Sequence, residues 1–218
     1  MRELSYQIMN FNVSKCISFR VGFSKNLLIR STIQEERGEE ALSLFEISVA
    51  NVTIIMKLKG DMLGKVDFQK TVYLCQQLGV FMPFEFRWDK IGPYSFELAH
   101  FLNHLVARNL LLIKSGQYSV NLDDPLARQS ESITSITPRM QENLARFFKS
   151  IRRKVHEKSH NIPIFMECLG SIRFIKTSLE NPSKTTVFRT LRQLKPHKAK
   201  QFSSMAEDAW YLLEKHGL

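Results

Sequence analysis

Between residues 64 and 120 the chain passes through an apolar helical stripe, an alternating aromatic segment, a Gly-Pro break, a second amphipathic stripe and two β-prone runs around a glycine. Almost no residues are left over between them. Over 65–78, Phe68, Val72 and Cys75 lie one helical stripe apart, and Leu74 with Leu78 adds a row beside them, so a largely buried helix is predicted. Phe84, Phe86 and Trp88 then alternate with Glu85, Arg87 and Asp89, the pattern of a half-buried strand, with Trp88 expected against the preceding helix.

Gly92 and Pro93 break that pattern in the turn Ile91-Gly92-Pro93-Tyr94. Ser95 stands where an N-cap accepts an orphan backbone N–H, and Glu97 lies near the positive end of the helix that follows. Leu98, Phe101, Leu102, Leu105 and Val106 give that helix its apolar side, leaving Glu97, His100, Asn103, His104 and Arg108 facing outward. Leu111 to Ile113 and Gln117 to Val120 flank Lys114-Ser115-Gly116, a tight hairpin in which glycine supplies positive φ. Helix, strand, turn, helix and hairpin in this order predict a winged helix-turn-helix with a small three-stranded sheet and the hairpin as its wing. Its outward helix face would do the recognising.

The run Gly64-Lys65-Val66-Asp67-Phe68-Gln69-Lys70-Thr71-Val72-Tyr73-Leu74, then Phe86-Arg87-Trp88, then Gly92-Pro93-Tyr94-Ser95-Phe96-Glu97-Leu98, resembles the YwgA-like and phage-associated (Panacea, SocA-antitoxin-like) winged-helix proteins of bacteria and archaea. The glycine-proline-tyrosine-serine segment after an aromatic strand is its most specific part. More loosely, Met166-Glu167-Cys168-Leu169-Gly170-Ser171-Ile172 and Leu194-Lys195-Pro196 resemble the family's C-terminal half, so the resemblance covers about residues 56–218. It implies a non-catalytic module, sometimes an antitoxin, near phage or defence genes. It carries over no active site.

Residues 1–55 lie outside the resemblance and show no sustained period, so they are expected as an N-terminal extension. Two readings stay open: upstream sequence read in frame ahead of a start at Met56, or an authentic extension packing through Leu42, Phe45, Ile47 and Val49. A third, a transit peptide over 1–34, rests on basic, acid-poor composition without amphipathicity. A winged-helix domain is expected over 56–120 and a Ser/Thr-rich surface linker over 121–138.

The rest, 139–218, reads as a basic domain of packed helices. Thr137-Pro138 caps a helix whose stripe is Met140, Leu144, Phe147, Phe148, Ile151 and Val155, with Arg139, Arg146, Lys149, Arg152, Arg153 and Lys154 opposite. After the break at Asn161-Ile162-Pro163, Phe165, Leu169, Ile172, Ile175 and Leu179 mark the next core face. A shorter helix follows over 185–194, and Ser204 with Glu207 has the pattern of a capping box opening the last. The predicted fold class is therefore mainly α, a winged helix followed by a C-terminal helical bundle.

The formal net charge is +10, and its excess gathers late: seven basic residues against three acidic over 139–172, nine against four over 173–218. That field suits an anionic partner, duplex DNA or an acidic protein such as a toxin. Cys16, Cys75 and Cys168 are odd in number and widely spaced, as free thiols in a reducing compartment are. The longest uncharged run, 47–56, is too short to cross a bilayer, so no membrane partner and a cytoplasmic location are expected.

No phosphate-binding glycine loop, nucleophile elbow, zinc-hydrolase helix or paired-carboxylate pattern occurs, so the chain is expected not to be an enzyme and to use no cofactor. His100 with His104, and His156 with His160, are spaced for chelation, but no third ligand is placed beside either pair, so no metal is expected. The candidate nucleic-acid-binding residues are Asn103 and Arg108 on the recognition helix, Lys114 on the wing, and Arg146, Lys149, Arg152 and Arg153 on the long basic helix. The function expected is DNA binding or regulation in a phage-defence or toxin-antitoxin setting, the alternative being a module that caps a toxin or effector.

Overall fold

Helix α2 (Gly64–Gln77) is buried without interruption from Asp67 to Cys75, and the other elements pack around it. In the computed structural model, residues 42–60 and 62–218 are described. The readings made of Cys16 and of 1–34 lie outside them. Contacts divide the chain into Met1–Leu44 and Phe45–Leu218, and the second unit is the one described.

Among the described residues the protein is mainly helical, with a three-stranded antiparallel sheet and a two-stranded one. After α1 (Leu44–Lys59) and β1 (Met62–Leu63) come α2, β2 (Arg87–Asp89), β3 (Gly92–Tyr94), α3 (Phe96–Ala107), β4 (Leu111–Lys114) and β5 (Gln117–Val120). Two short helices follow, α4 (Pro125–Arg128) and α5 (Ser130–Ile133). Then come α6 (Pro138–Lys158), α7 (Ile162–Ser178), α8 (Lys184–Leu194), a 3-10 turn (Pro196–Lys198), α9 (Ala199–Ser203) and α10 (Ala206–Lys215).

Most predicted helices form where their stripes and caps place them. Ser95, Thr137 and Asn161 each accept from the backbone N–H three residues on, of Leu98, Met140 and Ile164. The α6 stripe is buried from Leu144 to Val155, and Met140 is half-buried at its start. One cap differs. Ser204 turns its hydroxyl back to the Gln201 carbonyl, and α10 begins after Met205 with no side-chain cap, so the Ser204/Glu207 capping box is not made.

The strands depart further from expectation. The sheet has the order β1-β5-β4, its third member being the two-residue Met62–Leu63 paired with Tyr118 and Gln117. The aromatic segment stays out of it: Arg87–Asp89 pairs with Gly92–Tyr94, so Gly92 and Pro93, expected as a turn, are a strand, and the turn is Lys90-Ile91. The alternation holds, with Phe84 and Phe86 buried and Glu85 and Arg87 exposed. Phe86 meets Tyr73 of α2 at 5.1 Å, whereas Trp88 is only half-buried and its ring partner is Phe174 of α7 at 5.8 Å. In the β4–β5 hairpin both Ser115 (φ 51°) and Gly116 (φ 77°) take positive φ, the primed turn that suits strand twist.

The expected boundary at 55/56 falls inside α1. Val49, Ala50, Val52, Ile54, Ile55 and Met56 are all buried, and Asn51, fully buried, makes four hydrogen bonds. Its Nδ2 donates to the Phe81 carbonyl and Ser135 Oγ (both 2.8 Å), and its Oδ1 accepts from Thr134 Oγ1 (2.7 Å) and the Ser135 N–H (2.9 Å). A chain begun at Met56 would lose most of this helix. The same bonds fasten the segment 121–138, expected as a linker, where Ala127, Ser130 and Ile136 are buried.

The second half is packed directly on the first. Helix α7, buried from Phe165 to Ile172, lies along α2, and the Lys70 side chain runs past Gly170, where a Cβ would stand 3.2 Å from Lys70 Cδ. Lys70 Nζ donates to the Pro93 carbonyl at 2.5 Å, while Gln69 takes both backbone groups of Ser95, accepting from its N–H (3.0 Å) and donating to its carbonyl (2.8 Å). Gly92 (φ 82°) has no room for a side chain, since a Cβ would collide with the Ser171 hydroxyl. On the far side, Lys195 Nζ bonds Glu167 Oε1 (2.5 Å) and the Lys90 carbonyl (2.6 Å), and Lys198 takes the other oxygen of Glu167. Burial, and Lys195 beside it, bring the Lys70 ammonium down to about 7.

Two outcomes follow for stability. Asn51→Leu leaves several buried groups unpaired at about 1–3 kcal/mol each, and urea unfolding should register the loss; a change under about 0.5 kcal/mol would mean α1 is dispensable. Lys70 is protonated in the unfolded chain up to about pH 10 but loses its proton near 7 when folded, so raising pH above 7 should stabilise the fold. The rise should be read below about pH 8.5, before the Cys75 and Cys168 thiols ionise in the unfolded chain, and Lys70→Met should flatten it.

Candidate nucleic-acid interface

Three of the predicted cations are brought together. Arg146, Lys149 and Arg153 stand at i, i+3 and i+7 on α6, hence on one face and spread over about 10.5 Å at the helical rise of 1.5 Å per residue. They line a cleft of about 550 Å³ with Asn143 and Ser150 of the same helix, Leu78 at the end of α2, and Lys215 and His216 at the end of α10. Among the described residues no carboxylate lines it. Arg146 Nη2 donates to Asn143 Oδ1, and Arg153 shares Glu157 at 3.5 Å on its outer side. Among the described residues Arg146, Lys149 and Lys215 form no ion pair.

His216 closes one wall. Its ring meets Phe147 edge to face at 5.2 Å, and its Nε2 lies 3.1 Å from Ser150 Oγ. Burial, then Lys215 and Arg146, hold its pKa below the ordinary histidine value, so it is neutral at pH 7. Lys215 and His216 were not singled out from the sequence. They lie some sixty residues beyond Arg153, and only the packing of α10 on α6 makes them neighbours.

The other predicted residues sit elsewhere. Arg152, one step around α6 from Arg153, points to the end of α1 and donates to the Lys59 carbonyl at 3.0 Å and the Leu58 carbonyl at 3.4 Å, capping that helix. Asn103 is exposed on α3 and Lys114 exposed on β4, and neither lines the cleft. Arg108 is laid over the Phe45 ring at 5.5 Å, and the same ring meets Phe101 and His104, each at 5.6 Å. Part of the outward face of α3 is therefore occupied by α1. Large apolar side chains are exposed nearby in sequence: Phe96 (63%) at the start of α3, Leu112 (45%) and Ile113 (53%) on β4, and Leu122 (59%) after β5.

Two of the four paired histidines have other partners. His104 packs on Phe45, while His160 stacks on Phe165 and faces Asp208 at 3.3 Å. Among the described residues no three His, Cys, Asp or Glu side chains converge as metal ligands, and no helix is long and apolar enough to cross a membrane. Cys75 and Cys168 are free and buried, and burial pushes both thiols up, away from reactivity. Comparison with protein-family models, curated proteins and solved structures finds no match to this chain.

The two adjacent arginines should part company in stability measurements. Arg152→Glu sets a carboxylate against the carbonyl end of α1 and should cost about 0.5–1 kcal/mol in chemical unfolding. Arg146→Glu, which relieves repulsion among unpaired cations, should cost nothing; equal losses would contradict the capping role.

Proposed function

We propose that the protein is a non-catalytic winged-helix module that binds duplex nucleic acid as a regulator, in the defence and antitoxin setting implied by the resemblance. The observation that carries this reading is the cleft: cations from α6 and α10 converge on one concave, carboxylate-free surface. Solvated basic faces normally interleave their acids, and their exclusion here favours an anionic partner. The order of α2, the β2–β3 hairpin, α3 and the β4–β5 hairpin supports the winged-helix reading. In that reading Asn103 lies on the recognition helix and Lys114 on the wing, with α6 extending the grip on the phosphates.

A second reading, a module that caps a toxin or defence effector, is favoured by one observation. Phe96, Leu112 and Ile113, on the elements that would meet DNA, are exposed and apolar, and Arg108 is engaged with Phe45. Such side chains suit a protein surface better than a phosphate backbone.

Binding to duplex DNA, measured at two salt concentrations, separates these readings. Arg146→Glu with Arg153→Glu should weaken binding to all sequences alike and lower the slope of log K against log salt by roughly 0.9 for each phosphate no longer neutralised. Asn103→Ala should instead narrow the gap between a preferred site and random DNA by about 1–3 kcal/mol if that residue reads a base. DNA binding without salt dependence, or indifferent to the α6 reversals, overturns the nucleic-acid reading. Loss of a bound effector on Phe96→Asp with Ile113→Asp, with no DNA affinity, would establish the second.

A further inference from the structure

We propose that the cleft between α6 and the end of α10 is a binding site for a small polyphosphate, gripped through its phosphates with no contact that reads a base. A duplex backbone needs only exposed cations. This cleft has more: a half-open volume of about 550 Å³, within the range of small-ligand sites of about 300–1,000 Å³, and neutral hydrogen-bonding groups on Asn143 and Ser150 beside the charges.

Its charges come from two elements distant in sequence, α6 and the end of α10. The α6 cations alone span about 10.5 Å. That length exceeds a single phosphate and suits a short run of them, with Lys215 facing the run. Arg146, Lys149 and Lys215, with Arg153 as a fourth cation that also meets Glu157, supply charge for a short polyphosphate. Base recognition, by contrast, needs a free aromatic face. The one ring here, His216, is engaged edge to face with Phe147 and tied to Ser150, and Leu78 supplies the only apolar patch.

His216 couples the site to protons. The charged groups that share the cleft with it are Arg146, Lys149 and Arg153 from α6 and its own neighbour Lys215, all cationic, while α2 contributes only Leu78. Burial first, and then repulsion from Lys215 and Arg146, keep the imidazole neutral; a bound polyphosphate cancels the repulsion, so His216 is protonated more readily in the complex. Affinity then rises as pH falls below 7. Because the ligand uses the cations proposed for nucleic acid, the two compete, and a regulator of this kind would release DNA when polyphosphate is abundant. The site itself does not depend on the nucleic-acid reading, since it can be filled without DNA.

The test is calorimetric titration of the full chain with tripolyphosphate, ATP and GTP at low salt, at about pH 7 and about pH 6, alongside duplex DNA. One-site saturable binding is expected, with the three ligands within about threefold of one another, and Arg146→Ala with Lys215→Ala should weaken all of them about tenfold or more. Arg192→Ala, at an exposed cation of α8 outside the cleft, should change nothing. Acidification should tighten binding in the parent chain and not in His216→Asn. Absence of saturable binding, an equal loss in Arg192→Ala, or discrimination between ATP and GTP by more than about tenfold overturns the proposal. Failure here with salt-dependent DNA binding intact strikes only the polyphosphate site, and polyphosphate binding without DNA binding strikes only the nucleic-acid reading.

Discussion

A helix buried on every side can keep polar residues only if each finds a partner inside the protein, and α2 carries Asp67, Gln69, Lys70 and Thr71 in consecutive buried turns. Each requirement names another element. Asp67 accepts from Lys59 Nζ (2.7 Å), the Leu63 N–H (2.9 Å) and Thr71 Oγ1 (3.3 Å), so it holds the end of α1 and the start of β1. Gln69 holds the backbone of Ser95 and thereby the N-cap of α3. Lys70 holds Pro93 and passes Gly170 of α7. Breaking any one leaves a buried polar or charged group stranded, so the positions of α1, the β2–β3 hairpin and α3 are coupled through the satisfaction of one helix.

The second anchor is Glu167 on α7, also buried. Lys195 and Lys198, just beyond α8, reach its two oxygens, and Lys195 continues to the Lys90 carbonyl in the β2–β3 turn while lying 5.7 Å over the Trp88 ring. Burial lowers the Lys195 pKa and the bond to Glu167 raises it again, the usual balance of an interior ion pair. The stretches Gly92-Pro93-Tyr94-Ser95 and Leu194-Lys195-Pro196, distinctive in the sequence, are thus explained by packing: they are the points at which α2 and α7 are tied to what surrounds them.

This shows why some of the molecule was readable in advance and some was not. Stripes and caps are local, so α2, α3, α6 and α7 lie close to where Phe68, Ser95, Thr137 and Phe165 put them. The partner of a strand is not local. Phe84, Phe86 and Trp88 alternate as a sheet strand should, yet the third strand of the sheet is the two-residue Met62–Leu63, too short to show any period. Helix α1 went unread for the opposite reason: it is buried nearly all round from Ser48 to Met56 and so has no stripe, and the polar Asn51 and Thr53 within it look like surface until their partners across the fold are known. The cleft was half legible. Arg146, Lys149 and Arg153 could be taken from the helical period, but nothing in it separates Arg153 from Arg152, whose role as a cap depends on where α1 ends, and nothing local draws in Lys215 or His216.

The distribution of carboxylates turns a general surplus of charge into a local one. In the second half of the chain Glu157, Glu167, Glu207, Asp208 and Glu214 are each matched to lysine, through Lys154, Lys195 with Lys198, Lys184, Lys154 again and Lys176. These pairs occupy most of the carboxylates of this half, so the excess resides in the cations left without one. The cations they leave uncompensated include Arg146, Lys149 and Lys215, and the meeting of α6 and α10 sets those three around one concavity, where the apolar side chain of Leu78 strengthens their field on anything that enters. A net charge spread evenly would attract any polyanion weakly. Gathered into a cleft with two neutral hydrogen-bonding side chains, and with a histidine held neutral by burial and by its neighbours, the same charge selects for phosphate density and reports on its own occupancy through a proton.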